Sequence, residues 1–228
     1  MGIRFWRFST LIIKRFLYPV VRSRVRAGLV AGLLLLAISC QAQARDQRIL
    51  VLGDSISAAY GMSLEQGWVN MLAAQLAEAS PPVAVINASI SGETTAGGLR
   101  RLPLLLEQHQ PTVVIIELGA NDGLRGYPLA GLRANLNKLV AMSQQAGARV
   151  ILAPMEIPPN YGARYTAGFR ESFVEVAGDT DSALAPFLLD GVATDPALMQ
   201  DDGLHPNPEA QARLLQNILP TIQTVLSH

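Results

Sequence analysis

The stretch Ile49-Leu50-Val51-Leu52-Gly53-Asp54-Ser55-Ile56-Ser57 decides how the chain is built. Four aliphatic residues without polar alternation, closed by Gly-Asp-Ser, have the pattern of a strand buried on both faces. Comparable runs recur at Val83–Ile86, Val113–Leu118 and Val150–Ala153, with a weaker one at Leu184–Leu189. Helical patterns lie between them. Trp68, Val69, Leu72 and Leu76 share one helical face, and Leu129, Leu132, Leu136, Leu139 and Val140 share another. A last helix carries Leu214, Leu215, Ile218, Leu219 and Ile222, with Asn207 as its N-cap and Pro208 in its first turn. Such alternation predicts an α/β domain, a parallel sheet with helices on both faces. Gly97-Gly98 and Pro158-Pro159 read as loop punctuation within it.

Upstream of this body the composition changes. The 228 residues hold 18 basic and 18 acidic side chains, a formal net charge of zero that hides an asymmetry. Seven basic residues, from Arg4 to Arg26, precede the first acid, Asp46, so the chain from Arg45 onward has a net charge of −7. Ala27–Cys40 is an uncharged stretch of fourteen residues centred on Leu33–Leu36. That is short of the roughly 20 residues a membrane span needs. A basic segment, a short apolar one and Ala42-Gln43-Ala44 together make a secretory signal with cleavage after Ala44. Residues 1–44 are therefore read as a leader and 45–228 as a single domain.

Two other readings of the leader stay open. One is a retained membrane anchor. The other is lipid attachment at Cys40, where Ala37 stands in place of the usual Leu of a lipoprotein signal. Cleavage after Ala44 removes the only cysteine, which excludes disulfides, thiol catalysis and Cys-based metal sites from the mature chain. Residues 1–25 are long for a signal and carry Phe5, Trp6, Phe8, Phe16 and Tyr18, so an interfacial extension and a start assigned too far upstream are both open.

In a sheet of this kind, ligands bind beyond the carboxyl ends of the strands. The residues there are Gly53–Ser57, Asn87–Gly92, Gly119–Gly123, Met155–Tyr161 and Asp201–Pro206. A serine nucleophile needs a base in reach, and the base needs an acid to orient it. Of the three histidines, His109 falls at the opposite edge and His228 is the last residue, which leaves His205, with Asp202 three residues before it. Ser55 is the candidate nucleophile, its alternative being the cap of a following helix, whose amides could also serve an oxyanion. Ser57 occupies the second glycine position of a Gly-x-Ser-x-Gly elbow, so this is a different motif. Gly92 could offer a backbone N–H and Asn121 a side-chain amide to an oxyanion; a turn glycine and an Asx-turn at Asn121-Asp122-Gly123 are their ordinary alternatives. Taken together these residues make the set an acyl-transfer site requires.

Gly-Asp-Ser-Ile-Ser, the later Gly92, Gly-Ala-Asn-Asp and Asp-Gly-Leu-His resemble the four blocks of the SGNH (GDSL-type) hydrolases, in order across residues 48–220. Asn87–Gly92, Gly123–Gly126 and Pro158–Gly162 resemble its multifunctional acyl-CoA thioesterase I, protease I and lysophospholipase (arylesterase) branch. Ala120 departs from the Gly common there. The resemblance implies a three-layer flavodoxin-like fold with a five-stranded parallel sheet. It implies Ser55 as nucleophile, His205 as base, Asp202 as orienting acid, and an oxyanion hole of the Ser55 and Gly92 amides with the Asn121 side chain. It implies no metal or organic cofactor.

The expected protein is thus a periplasmic or secreted serine esterase. Gly123–Pro128 and Ile157–Tyr161 are expected to line an acyl groove, with Leu124 and Tyr161 as substrate-binding candidates. Coenzyme A is not expected outside the cytoplasm, and a body of net −7 does not attract its phosphates. Short- to medium-chain esters, aryl esters and lysophospholipids are therefore the expected substrates, with thioesters as an activity in vitro. An acidic body also argues against nucleic acid, and no nucleotide-binding glycine motif is present. Membrane contact is expected only through the leader or a lipid substrate, and a monomer is expected. Asp201, Asp202 and His205 lack the further His or Cys that zinc favours. Asp54 reads as structural. Glu117, an acid inside an apolar run, needs a partner, for which a structural ion pair is the ordinary answer. The alternatives are a carbohydrate acetylesterase and a non-catalytic acyl-ligand-binding protein.

Overall fold

The computed structural model describes residues 46–227. The leader readings, and His228, lie outside the described residues. Five parallel strands form one sheet in the order β2-β1-β3-β4-β5: β1 (Arg48–Gly53), β2 (Ala84–Asn87), β3 (Val113–Glu117), β4 (Arg149–Leu152) and β5 (Ala183–Leu184). This is the five-stranded parallel α/β architecture that the sequence predicts. Ile49–Leu52 and Val113–Ile116 are wholly buried. At the edge, β2 exposes Ala84 and Asn87, so burial on both faces fails there, because an edge strand has a neighbour on one side only. The fifth run also shrinks to two paired residues. The Ala185 N–H still reaches the Leu152 carbonyl at 2.9 Å, but Pro186 has no N–H to continue the ladder. Leu188 and Leu189 turn into the core instead.

The helices are α1 (Trp68–Ala77), α2 (Thr95–His109), α3 (Ala120–Leu124), α4 (Leu129–Gln145), α5 (Ala163–Thr180) and α6 (Gln211–Leu226). The path from β1 runs outward to β2, then back across the sheet to β3, β4 and β5. Right-handed crossovers in opposite directions put their helices on opposite faces. Accordingly α1 packs against α6, while α2, α4 and α5 pack side by side. The faces read from the sequence are the buried ones: Trp68, Val69, Leu72 and Leu76 on α1, and Leu132, Leu136, Leu139 and Val140 on α4. Helix α5 is an addition to that reading. Its inner face rests on Phe169, Phe173, Val176 and Ala177, with the two rings edge to face at 5.4 Å. No helix among the described residues is long and apolar enough to cross a membrane.

Gly97-Gly98 is not a loop. Both residues are buried in the first turn of α2, where the Thr94 side chain accepts from the Gly97 N–H at 3.2 Å. A Cβ on Gly98 would stand 2.6 Å from Leu118 Cδ1 and 3.5 Å from Leu52 Cδ2, so the glycine lets the helix lie directly on β1 and β3. Gly98→Val should overpack this contact and lower unfolding free energy by about 1–3 kcal/mol. A lowered urea midpoint with an unchanged denaturant slope is the expected result.

Candidate active site

The chain leaves β1 and β3, which are neighbours, toward opposite faces, and a crevice opens between their carboxyl ends. Beyond Gly53 the backbone turns on itself instead of starting a helix. The Ala58 N–H donates to the Asp54 carbonyl at 3.0 Å and the Tyr60 N–H to the Ser55 carbonyl at 3.1 Å. Only the 3₁₀ turn Leu64–Gln66 precedes α1. Ser55 therefore has no helix to cap, and the helical amides expected beyond it are not there. The capping-type contact belongs to Asp54, whose Oδ1 accepts from the Ile56 N–H at 3.1 Å.

The half-buried Ser55 meets His205 across the crevice, with Oγ 2.9 Å from Nε2. His205 Nδ1 lies 2.6 Å from Asp202 Oδ2, while Asp202 Oδ1 accepts from the amides of Leu204 at 2.9 Å and His205 at 3.0 Å. Partial burial pushes the Asp202 carboxyl up, but the His205 ring and these amides outweigh it and draw it down to about 2. An ionised carboxylate only accepts, so Nδ1 carries the ring proton and Nε2 is left as an acceptor for the serine hydroxyl.

A closed loop holds this pair in place. The Gly203 N–H donates to the Gln200 carbonyl at 2.9 Å, with Gly203 at φ 64, a left-handed turn natural to glycine. Met199 and Pro206 form an antiparallel bridge, and the Gln200 N–H donates to the His205 carbonyl at 2.8 Å. Asn207 caps the 3₁₀ turn Pro208–Ala210 that leads into α6. Two residues that the sequence did not single out complete the arrangement. Gln200 Nε2 donates to the carbonyls of Tyr60 at 2.8 Å and Pro206 at 3.0 Å, tying the histidine loop to the serine loop. The Tyr60 ring lies 4.4 Å from that of His205. Nothing in a lone Gln signals a carbonyl 140 positions away.

Gly92 and Asn121 face the same crevice from β2 and β3. Among the described residues the N–H groups of Ser55 and Gly92 donate to no protein acceptor. Gly92 adopts φ 77, and its carbonyl accepts from Arg125 Nη2 at 3.1 Å. Asn121 belongs to α3 and not to an Asx-turn; its Nδ2 donates to Asp54 Oδ2 at 3.2 Å. Asp122 turns inward to accept from the Thr95 N–H and hydroxyl at 2.9 and 2.6 Å.

The two segments expected to line an acyl groove meet each other, and one of them borders a cavity. A cavity of about 470 Å³ beside the histidine loop is lined by Ile157, Pro158, Phe187, Leu189, Met199 and Leu204, among others, but by nothing from Gly123–Pro128. Half-buried Leu124 and exposed Tyr161 instead meet each other, the Tyr161 hydroxyl donating to the Leu124 carbonyl at 2.8 Å. Tyr161 borders a separate hollow with Leu129 and Tyr165. His109 ends α2, at the amino edge of β3 and away from the crevice. Among the described residues no group of three or more His, Cys, Asp or Glu is arranged to hold a metal ion.

The ion pair expected for Glu117 is absent. Fully buried, Glu117 Oε2 accepts from the Ser57 hydroxyl at 2.6 Å and the Asp54 N–H at 3.2 Å, and no Lys or Arg among the described residues reaches it. Burial first, then the charge of neighbouring Asp54, pushes the Glu117 carboxyl well above its ordinary value. Burial pushes Asp54 up to about 6, against hydrogen bonds from Ile56, Glu117 and Asn121 and the field of His205, which favour its ionised form. Keeping one proton avoids desolvating a second ion, which is why no cation is needed. An acid neutral in the fold but ionised when unfolded stabilises fully below its ordinary value near 4.5, and that stabilisation is lost as pH rises toward the folded value. Glu117→Gln, neutral at every pH, should flatten this decline. Urea midpoints at pH 5 and pH 8 should then differ less in the variant than in the parent.

Residues 51–213 match the GDSL-like lipase/acylhydrolase family. Over 202 residues the chain is 48% identical to esterase TesA of Pseudomonas aeruginosa, covering 89% of this chain and 100% of that protein. It is 39% identical over 196 residues to thioesterase 1/protease 1/lysophospholipase L1 of Escherichia coli, covering 86% and 92%. The crystal structure of the psychrotrophic esterase EstA from Pseudoalteromonas sp., inhibited by monoethylphosphonate, superposes with a TM-score of 0.76 at 47% identity, covering 80% of this chain and 100% of that one. A family match across most of the chain, relatives covered almost end to end and a shared fold lead to one assignment: this chain belongs to the GDSL-like lipase/acylhydrolase (SGNH) family of carboxylic ester hydrolases.

Proposed function

We propose that the protein is an exported serine esterase acting on small acyl esters and thioesters through a Ser55-His205-Asp202 triad. The observation that carries this reading is the unbroken hydrogen-bonded line from Ser55 Oγ through the His205 ring to Asp202. Ser55 Oγ attacks the acyl carbonyl and its proton passes to His205 Nε2. The imidazolium so formed is stabilised by Asp202, which stays ionised. The oxyanion of the tetrahedral intermediate accepts from the Ser55 and Gly92 N–H groups and from Asn121 Nδ2. The carbon–oxygen or carbon–sulfur bond then breaks, and the leaving group takes the proton from His205. Water, activated by the same base, hydrolyses the acyl-enzyme and regenerates Ser55.

Short- to medium-chain esters, aryl esters and lysophospholipids are the proposed substrates. The cavity beside the histidine loop, which sets Ile157, Phe187, Leu189 and Met199 beside Glu156 and Asp190, has an apolar side that is a place for one of their apolar portions. Inhibition of EstA by monoethylphosphonate supports a tetrahedral phosphorus probe here. Ser55→Ala should reduce p-nitrophenyl ester turnover by at least about 10³-fold while leaving the fold intact, in line with the loss of a triad serine. A fluorophosphonate should label the parent at Ser55 alone. Retained turnover in the alanine variant, or no adduct on the parent, would sink the triad.

Export rests on the leader pattern of residues 1–44, and a monomer touching membrane only through that leader or a lipid substrate is proposed with it. N-terminal sequencing of the protein from the cell envelope should begin at Arg45. A blocked terminus at Cys40 would make it a lipoprotein, and an uncut leader would make it an anchored enzyme.

A further inference from the structure

We infer that Arg125 is a specificity-determining residue of the crevice: its guanidinium, held against Gly92, takes the phosphate of an ester whose leaving group is a phosphoglycerol. This inference rests on the acyl-transfer reading above and names a substrate class for that same site.

The segments that leave the carboxyl ends of the strands are residues 54–67, 88–94, 118–128, 153–162 and 185–210. They carry many acids and a single Lys or Arg, which is Arg125. A body of net −7 does not attract phosphate as a whole, so attraction at the crevice has to come from a local charge. Arg125 follows α3, the helix of Asn121, and is exposed. Its Nη2 donates to the Gly92 carbonyl at 3.1 Å, which holds the guanidinium against the residue whose N–H is a proposed oxyanion donor. That bond uses one N–H of the planar fork and leaves the others for a ligand. The acids close in sequence to these two residues are engaged elsewhere. Glu93 accepts from Arg101 Nε at 2.7 Å, and Asp122 accepts from the Thr95 N–H and hydroxyl at 2.9 and 2.6 Å. Among the described residues no Asp or Glu pairs with Arg125. An uncompensated guanidinium fork at the mouth of a site is suited to the oxygens of a phosphate.

Spacing selects the kind of phosphate ester. The Gly92 N–H and carbonyl belong to one residue, so Arg125 stands close to where the acyl oxygen binds. In a lysophospholipid only the glycerol backbone separates the phosphate from the scissile ester. In an acyl-coenzyme A the long pantetheine arm carries the phosphates well away from the thioester. A cation beside the oxyanion hole therefore fits the first and not the second.

The test uses matched substrates below their aggregation concentrations: hexanoylglycerol against hexanoylglycerol phosphate, and hexanoyl-pantetheine against hexanoyl-coenzyme A. Arg125→Gln should reduce the ratio of kcat/KM for the phosphate ester to that for the neutral ester about 3- to 10-fold, the scale of one charge-assisted contact at an exposed position. The change should fall mainly on KM, and added salt should shrink the ratio in the parent more than in the variant. Any disturbance of Gly92 acts on both esters and cancels in the ratio. Arg125→Ala, read in the same way, stands in should the first variant not fold. The ratio for the thioester pair should not move. An equal loss on both glycerol esters gives Arg125 the task of holding Gly92 alone, and an unchanged ratio gives it no part in selection; either overturns the inference. A fall in the thioester pair instead of the glycerol pair makes coenzyme A the source of the phosphate and overturns it likewise. Ser55→Ala measured on the neutral ester separates the two levels. Turnover retained there defeats the active-site assignment itself, whereas an inactive Ser55→Ala with an unmoved Arg125 ratio defeats only the phosphate role.

Discussion

The pairing of β1 with β3 is the contact on which the site depends. Its register sets Gly53 opposite Glu117, at the last rung before both strands end. Gly53 has no room for a side chain there, since a Cβ would stand 2.6 Å from Glu117 Oε2 and 2.7 Å from both Ser57 Cβ and Ser89 Oγ. That close approach brings Glu117 under the turn carrying Asp54 and Ser55, and places α3, with Asn121, on the other side of the same carboxylates. A slip of one residue would exchange the faces of every side chain on the strand and dissolve the arrangement. Packing of the sheet and geometry of the crevice are therefore one constraint.

Much of this was legible in the sequence, for a physical reason. Strands buried on both faces must be continuously apolar, so β1, β3 and β4 were visible, and polar or glycine residues just beyond them could only be at the edge. Ser55, His205 and Asp202 followed from that placement together with a shortage of histidines. What stayed illegible depended on distances. Gly97-Gly98 looked like a loop because glycine's usual meaning is freedom; in α2 it means proximity to Leu118 and Leu52. Glu117 suggested an ion pair because sequence lists charges and not protons, and burial beside Asp54 changes which of the two is present. Gln200 carried no signal at all, since its partner lies on a loop contributed by the other end of the domain.

Charge inside the crevice is distributed unevenly. Asp202, partly open to solvent, is held ionised by donors on both oxygens, whereas burial pushes the carboxyl of Glu117, sealed from solvent, toward its neutral form. Asp54 lies between these extremes, buried but surrounded by groups that favour its anion. Three carboxyl groups within one site thus take three protonation tendencies from their surroundings alone.

Ser55 and His205 stand 150 positions apart, and the histidine loop is closed by contacts that reach back to Tyr60. At ordinary synthesis rates His205 emerges on the order of 10 s after Ser55. A partly made chain holds a serine with an unperturbed, unreactive hydroxyl, because no imidazole is yet present to accept its proton. On the proposed triad, hydrolytic competence therefore arrives last, with the final helix, and a growing chain is chemically inert toward esters until the domain is complete.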